Sequence, residues 1–127
     1  MRHTVAVLSA LATCAALTIA QAAPATIEGS WSGIGTISSR GAVDQVRCRV
    51  RYTKSSEKSY AVSSVCATEN GRYDITGNVT STGGNRYRGT VISGNSSGRV
   101  ILFHRGNHLS VTVTSPSGSA RITLSRR

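Results

Sequence analysis

Polarity alternates residue by residue along most of this chain, and that period commits it to half-buried β-strands. Val46, Cys48, Val50 and Tyr52 alternate with Arg47, Arg49, Arg51 and Thr53. Leu109, Val111 and Val113 alternate with His108, Ser110 and Thr112, and Ala120, Ile122 and Leu124 with Arg121, Thr123 and Ser125. Successive side chains of a strand point to opposite faces, so each run sets one apolar face against one polar face. No stretch after Ala23 carries the apolar repeat at three and four residues that a helix needs. Turn signals interrupt the runs about every ten residues, as at Ser39-Arg40-Gly41, Glu69-Asn70-Gly71, Gly94-Asn95-Ser96-Ser97-Gly98 and Ser115-Pro116-Ser117-Gly118. They divide the chain into strands at roughly 27–38, 43–54, 59–67, 72–80, 86–93, 99–104, 108–114 and 119–125. The predicted fold is all-β: an eight-stranded antiparallel meander that closes into a small barrel, abolishing its edges, or flattens into a sandwich.

The first 22 residues read differently. A short basic start with Arg2 and His3 leads into an apolar run from Val5 to Ala20, and Ala20-Gln21-Ala22 supplies a small-x-small cleavage pattern. The expectation is a signal peptide over 1–22 and a single domain over 23–127, periplasmic or secreted and not spanning a membrane after cleavage. Removing the leader removes Cys14 and leaves Cys48 and Cys66, an even count that favours a disulfide in an exported chain.

The pairing of the strands can be tested within the sequence. A tight hairpin centred on Glu57 sets Cys48 opposite Cys66, within disulfide reach. Carrying that rule onward lines up Trp31, Val50, Ser64, Ile75, Val91, Val100, Val113 and Ala120 as one inward layer, apolar except at Ser64. A one-residue slip would turn polar residues inward. With the apolar face inside and arginines outside, the pattern is the reverse of an outer-membrane barrel.

Charge is the strongest compositional signal. The chain holds 15 Lys and Arg against 5 Asp and Glu, a formal net charge of +10. Arg47, Arg49 and Arg51 line the outside of one strand with Arg72 nearby, an array whose guanidinium forks suit phosphates and carboxylates. The simplest role of such a face is solubility, and an anionic envelope component or a protein partner is the alternative. Nucleic acid is disfavoured, because the outer faces offer only Phe103 for base stacking. Ile92, Ile101 and Phe103 are expected outside on strands five and six beside Arg88, forming a candidate docking patch.

No catalytic constellation stands out. The carboxylates do not converge, His104 and His108 flank a turn without pointing together, and the serines lack a base with an orienting acid. Neither a metal site nor a cofactor motif is expected. Gly33, Gly77, Gly89 and Ser64 are small inward positions, so either neighbours such as Trp31, Tyr73 and Tyr87 fill the interior or a small pocket remains; filling is the commoner outcome in small barrels.

Two resemblances attach to particular residues. Gly29-Ser30-Trp31, on the first strand of an eight-stranded meander, resembles the Gly-x-Trp signature of the lipocalin/calycin superfamily. That likeness implies a tryptophan plugging one barrel end, covered by a basic residue from the last strand, here Arg121 or Arg126. With Tyr73 and Tyr87 from the inward positions, the candidate barrel-end or cavity set is Trp31, Tyr73, Tyr87 and Arg121. The chain is shorter than true lipocalins and lacks their helix after the last strand. Trp31-Ser32-Gly33-Ile34-Gly35, Val46 to Tyr52 with its Arg47-Cys48-Arg49 centre, and Cys66-Ala67 resemble a group of small exported proteins of alphaproteobacteria. That likeness implies export and fold and carries no function across. The functional expectation is a non-enzymatic binding module of the cell envelope that uses its basic outer face. A small-molecule carrier of lipocalin-like type is the alternative, and a secreted protease inhibitor acting through Pro24 to Glu28 is another.

Overall fold

The computed structural model describes residues 3–4 and 26–127; the expected signal peptide, apart from His3 and Thr4, lies outside the described residues. Eight strands follow in order: β1 (Gly29–Ser39), β2 (Ala42–Lys54), β3 (Ser59–Thr68), β4 (Gly71–Gly83), β5 (Arg86–Ser93), β6 (Ser96–Arg105), β7 (His108–Ser115) and β8 (Gly118–Arg126). Each pairs antiparallel with the next, and β8 pairs with β1, so the meander closes into a barrel and not a sandwich. No helix among the described residues is long and apolar enough to cross a membrane.

The inward layer forms as predicted on five of its seven seams. Trp31 pairs with Val50, Val50 with Ser64, Ser64 with Ile75, Val100 with Val113, and Val113 with Ala120. The two seams of β5 differ. Val91 faces Gly77 and Gly98 instead of Ile75 and Val100. The cause is turn length. Gly84-Asn85 and Gly94-Asn95 are two-residue turns with glycine at φ 57° and 58°. Ser96 and Ser97, read as turn residues, therefore enter β6, and a register irregularity between Ser81 and Gly83 absorbs the rest. Each slip is two residues, so every side chain keeps its face.

Carried once round the wall, the pairings return to β1 ten residues from where they left it. Eight strands with a shear of 8 make the filled core of a (β/α)8 barrel. A shear of ten tilts the strands further and widens the wall. Glycines permit the tight coiling this demands. A Cβ on Gly33 would collide with the Thr123 carbonyl, and one on Gly89 with the Asn78 carbonyl. The small inward glycines thus mark close approach of neighbouring strands rather than empty space.

Large residues gather at one end of the barrel. Trp31, Ile27, Leu102, Leu109 and Leu124 are fully buried near the turns 55–58, 84–85 and 106–107. Towards the other end the inward positions shrink to Val46, Val50, Ser64, Val91, Val100 and the disulfide pair. Cys48 and Cys66 are bonded, with Cα atoms 4.1 Å apart, on directly opposed positions of β2 and β3.

Candidate functional site: a one-ended barrel cavity

The closed end is built from the residues that immediately precede β1. Thr26 to Glu28 run across the barrel mouth before β1 begins, and Ile27 is wholly buried there. Five hydrogen bonds fasten this segment. The Trp31 indole N–H donates to the Ile27 carbonyl at 2.8 Å. The Arg126 guanidinium donates to the Glu28 and Thr26 carbonyls at 2.8 and 2.7 Å. Thr26 Oγ1 lies 2.8 Å from the Tyr60 hydroxyl. The Lys54 backbone N–H donates to the Glu28 carboxylate at 3.2 Å.

Arg126 also lies over the Trp31 ring, 4.3 Å from its centroid, a cation–π contact. Arg126 therefore covers the tryptophan, and Arg121 does not. Arg121 is exposed on the outer face between Thr36 and Thr112. The alternation separates the two, because Ala120, Ile122, Leu124 and Arg126 share the inward parity that Arg121 lacks. His104 packs edge-on against Trp31 at 5.8 Å, and Tyr87 packs edge-on against Tyr60 at the same separation. Trp31 and Tyr87 thus belong to the filled end and do not line the cavity.

Beyond this plug the barrel is hollow. A cavity of about 530 Å³ opens at the end carrying the turns 40–41, 69–70, 94–95 and 116–117. Its wall is mainly aliphatic, with Val50, Val62, Ile75, Val100, Val113 and Ile122 among the lining. The disulfide and Ser64 interrupt it midway, and Tyr52, Val79, Leu102 and Leu124 lie deepest. Serines crowd the mouth, among them Ser39, Ser93, Ser96 and Ser117, together with the half-exposed Tyr73. Asp44, at the mouth, is the one charged residue in the lining. Filling by Trp31, Tyr73 and Tyr87 was the outcome expected of a small barrel; with the other large side chains segregated to one end and Tyr73 at the mouth, the interior between is left hollow instead.

Tyr52 is 3% exposed, and burial pushes its phenol well above the usual tyrosine range. Burial raises Tyr87 as well, with a smaller contribution from the charge of Tyr60. Both groups lose a proton more readily in the unfolded chain, which starts to ionise near pH 10. Their contribution to stability is complete below that pH and falls away above it. Denaturation midpoints should therefore hold steady from pH 7 to 9 and drop beyond pH 10, with Tyr52→Phe blunting the drop. Parallel pH series of the two proteins, followed by circular dichroism, check this.

The outer-face candidates separate into two regions. Arg47, Arg49 and Arg51 stand exposed along β2, and Arg51 donates to Ser30 Oγ at 3.4 Å. Arg72 is reached from Arg47 through Ala67. A shallow groove of about 280 Å³ lies beside Ser32, Ile34, Arg47 and Arg49, and Arg127 completes it. The patch on β5 and β6 assembles only in part: Arg88, Ile101 and Phe103 lie together, and Ile92 does not join them. Phe103 is 39% exposed with the Arg86 guanidinium 5.5 Å from its ring, and Ile101, half-buried, pairs with Arg88. Ile92 is exposed but pairs with Ser97, four residues along β6 from Ile101. The register slip at β5 carries it away from its expected neighbours.

No family model matches this chain, and no curated protein matches it. Solved structures do. A redesigned β-barrel, mFAP1, bound to DFHBI superimposes with a TM-score of 0.68 at 12% identity, over 78% of this chain and 94% of that one. The structure of EF1p2_mFAP2b bound to DFHBI gives 0.67 at 10% identity, over 79% and 93%. Another redesigned β-barrel, mFAP0, also bound to DFHBI, gives 0.66 at 13% identity, over 78% and 97%. At these identities the likeness speaks for the fold.

Proposed function

We propose that this barrel is an exported carrier of a small apolar molecule, held inside the cavity and acting by binding rather than catalysis. The observation that carries the reading is the hollow, mainly aliphatic interior of about 530 Å³ with one open mouth. Ligand sites commonly have this size and this mixture of apolar wall and few polar groups. A filled barrel would have left the basic exterior as the main candidate surface. The redesigned barrels that share the fold bind DFHBI, which makes that fluorogen a convenient first probe. Export rests on the leader-like sequence of residues 1–22 and fits a protein that holds a disulfide.

The arginine groove around Arg47, Arg49 and Arg127 supports a second, compatible role, in which the carrier rests against an anionic envelope component. The protease-inhibitor reading finds less support, because Ile27 is wholly buried and Thr26 and Glu28 are tied to Arg126 and Tyr60.

The test is titration of the mature protein with DFHBI and with a neutral polarity-sensitive dye such as Nile red. Saturable 1:1 binding with enhanced, blue-shifted emission is expected. A Val50→Trp/Val113→Trp variant places an indole on each side of the hollow and should abolish it while keeping the β circular-dichroism spectrum. Absence of saturable binding, or equal binding by the blocked variant, would overturn the carrier reading.

A further inference from the structure

The carrier reading leaves the ligand's chemistry open, and the polar groups of the cavity narrow it. Tyr52 is nine-tenths buried and lines the deep part of the hollow. Unlike Tyr60, whose hydroxyl meets Thr26 Oγ1, its hydroxyl has no hydrogen-bond partner among the described residues. A hydroxyl on a cavity wall with no protein partner is free to bond a ligand or an ordered water held in the hollow. Ser64 lies on the same wall. Tyr52 pairs with Val62, so Ser64 is its diagonal neighbour on β3, and both line the hollow. The Ser64 hydroxyl is 3.4 Å from Cys66 Sγ, and sulfur is a weak acceptor, so its proton remains available. The lining includes neither Lys, Arg nor His, and its one charge is the carboxylate of Asp44 at the mouth.

We infer that the cavity takes an uncharged, largely apolar molecule bearing a carbonyl-type oxygen, which enters oxygen first and accepts hydrogen bonds from Tyr52 and Ser64. This rests on the carrier reading and refines it. The phenol remains a donor across the physiological range because burial opposes its ionisation. A fatty-acid carboxylate fits poorly at the same depth. It would be buried with no cation to pair with, which is costly, and it would pass Asp44 on entry. The strongly basic exterior does not change this, since its arginines project from the other face of the wall.

Three naphthalenes of matched shape test the inference: 2-acetylnaphthalene, 2-ethylnaphthalene and 2-naphthoate. Affinities are measured by displacement of Nile red, and the carbonyl stretch of bound 2-acetylnaphthalene by infrared difference spectroscopy. The ketone should bind tightest and the carboxylate weakest. Tyr52→Phe should weaken the ketone about five- to tenfold, the worth of one neutral hydrogen bond, and leave 2-ethylnaphthalene unchanged. The bound carbonyl band should lie at lower wavenumber in the native protein than in Tyr52→Phe, a signature that a merely structural tyrosine would not produce. Ser64→Ala should give a smaller shift in the same direction. Preferred binding of the carboxylate, or a ketone affinity and band unmoved by Tyr52→Phe, would overturn the inference while leaving the carrier reading intact. Failure of all three ligands together with Nile red would overturn the carrier reading itself.

Discussion

Trp31→Ala should destabilise the barrel by about 3–5 kcal/mol, the usual range for emptying a buried tryptophan site. For a domain of this size that lowers the melting temperature by roughly 20 °C. Three losses coincide at this position. The indole is fully buried among the largest core residues. Its N–H satisfies the Ile27 carbonyl, and its ring supports the Arg126 guanidinium, whose buried Nε has no partner among the described residues. Without the ring, Arg126 has less reason to hold Thr26 and Glu28, so the segment that closes the barrel should loosen as well. Hydrogen exchange at Ile27 and Glu28 should then accelerate more than exchange in the middle of β6. Trp31 is the only tryptophan, so unfolding must be followed by circular dichroism. Trp31→Phe separates the contributions, since it keeps most of the packing and loses the hydrogen bond; its cost should be nearer 1–2 kcal/mol. A loss under about 1 kcal/mol for the alanine variant would show that the plug is not what holds this end shut.

The barrel was legible because its information is local. Alternation gave each residue a face, and glycine-containing turns gave the strands their ends. The facing pair Cys48 and Cys66 checked the register from an independent direction. β5 was misaligned because Gly94-Asn95-Ser96-Ser97-Gly98 offers five turn-forming residues and composition does not say which two make the turn. The geometry uses Gly94 and Asn95 and sends the serines into β6. That slip of two left the core intact but moved Ile92 away from Ile101 and Phe103, since such neighbours depend on alignment along the strands rather than on parity. The cavity was harder to read for a different reason. Inward glycines such as Gly33 and Gly89 suggested space, yet they sit where neighbouring backbones nearly touch. The real space arises because Trp31, Tyr60, Tyr87, Leu102 and Leu109 all fall towards one end. That segregation appears only when every strand is laid in register and its direction followed. Arg126 was accessible from parity, and Tyr52 was visible as an inward residue, but the lack of a partner for its hydroxyl among the described residues is a property of the assembled wall.

Reduction of the Cys48–Cys66 bond should lower stability by about 3 kcal/mol, the chain-entropy value for closing a loop with a sequence separation of 18. The corresponding fall in melting temperature is roughly 12–24 °C. A ~100-residue barrel whose one long-range seam joins β1 to β8 holds a modest margin, typically 5–15 kcal/mol, so the clamp supplies a substantial fraction of it. The bond joins β2 to β3, adjacent in the chain, and their pairing is also fixed by the 55–58 turn through Ser55 N–H donating to the Ser59 carbonyl at 2.9 Å. The reduced protein should therefore keep its register and melt earlier, rather than refold differently. Cys48→Ala/Cys66→Ala should melt close to the reduced native protein, whereas Cys48→Ser/Cys66→Ser should melt lower still, because two hydroxyls would enter a wall where both positions are nearly inaccessible. Both sulfurs belong to residues lining the cavity. The alanine pair consequently enlarges the hollow, and it should bind bulkier apolar dyes better at temperatures where it remains folded. Thermal scans of native, reduced and double-alanine protein side by side decide the matter. A reduced barrel that melts within about 5 °C of the native one would mean that β2 and β3 are held together in the unfolded chain by something other than the bond, and that the clamp's contribution to stability is minor.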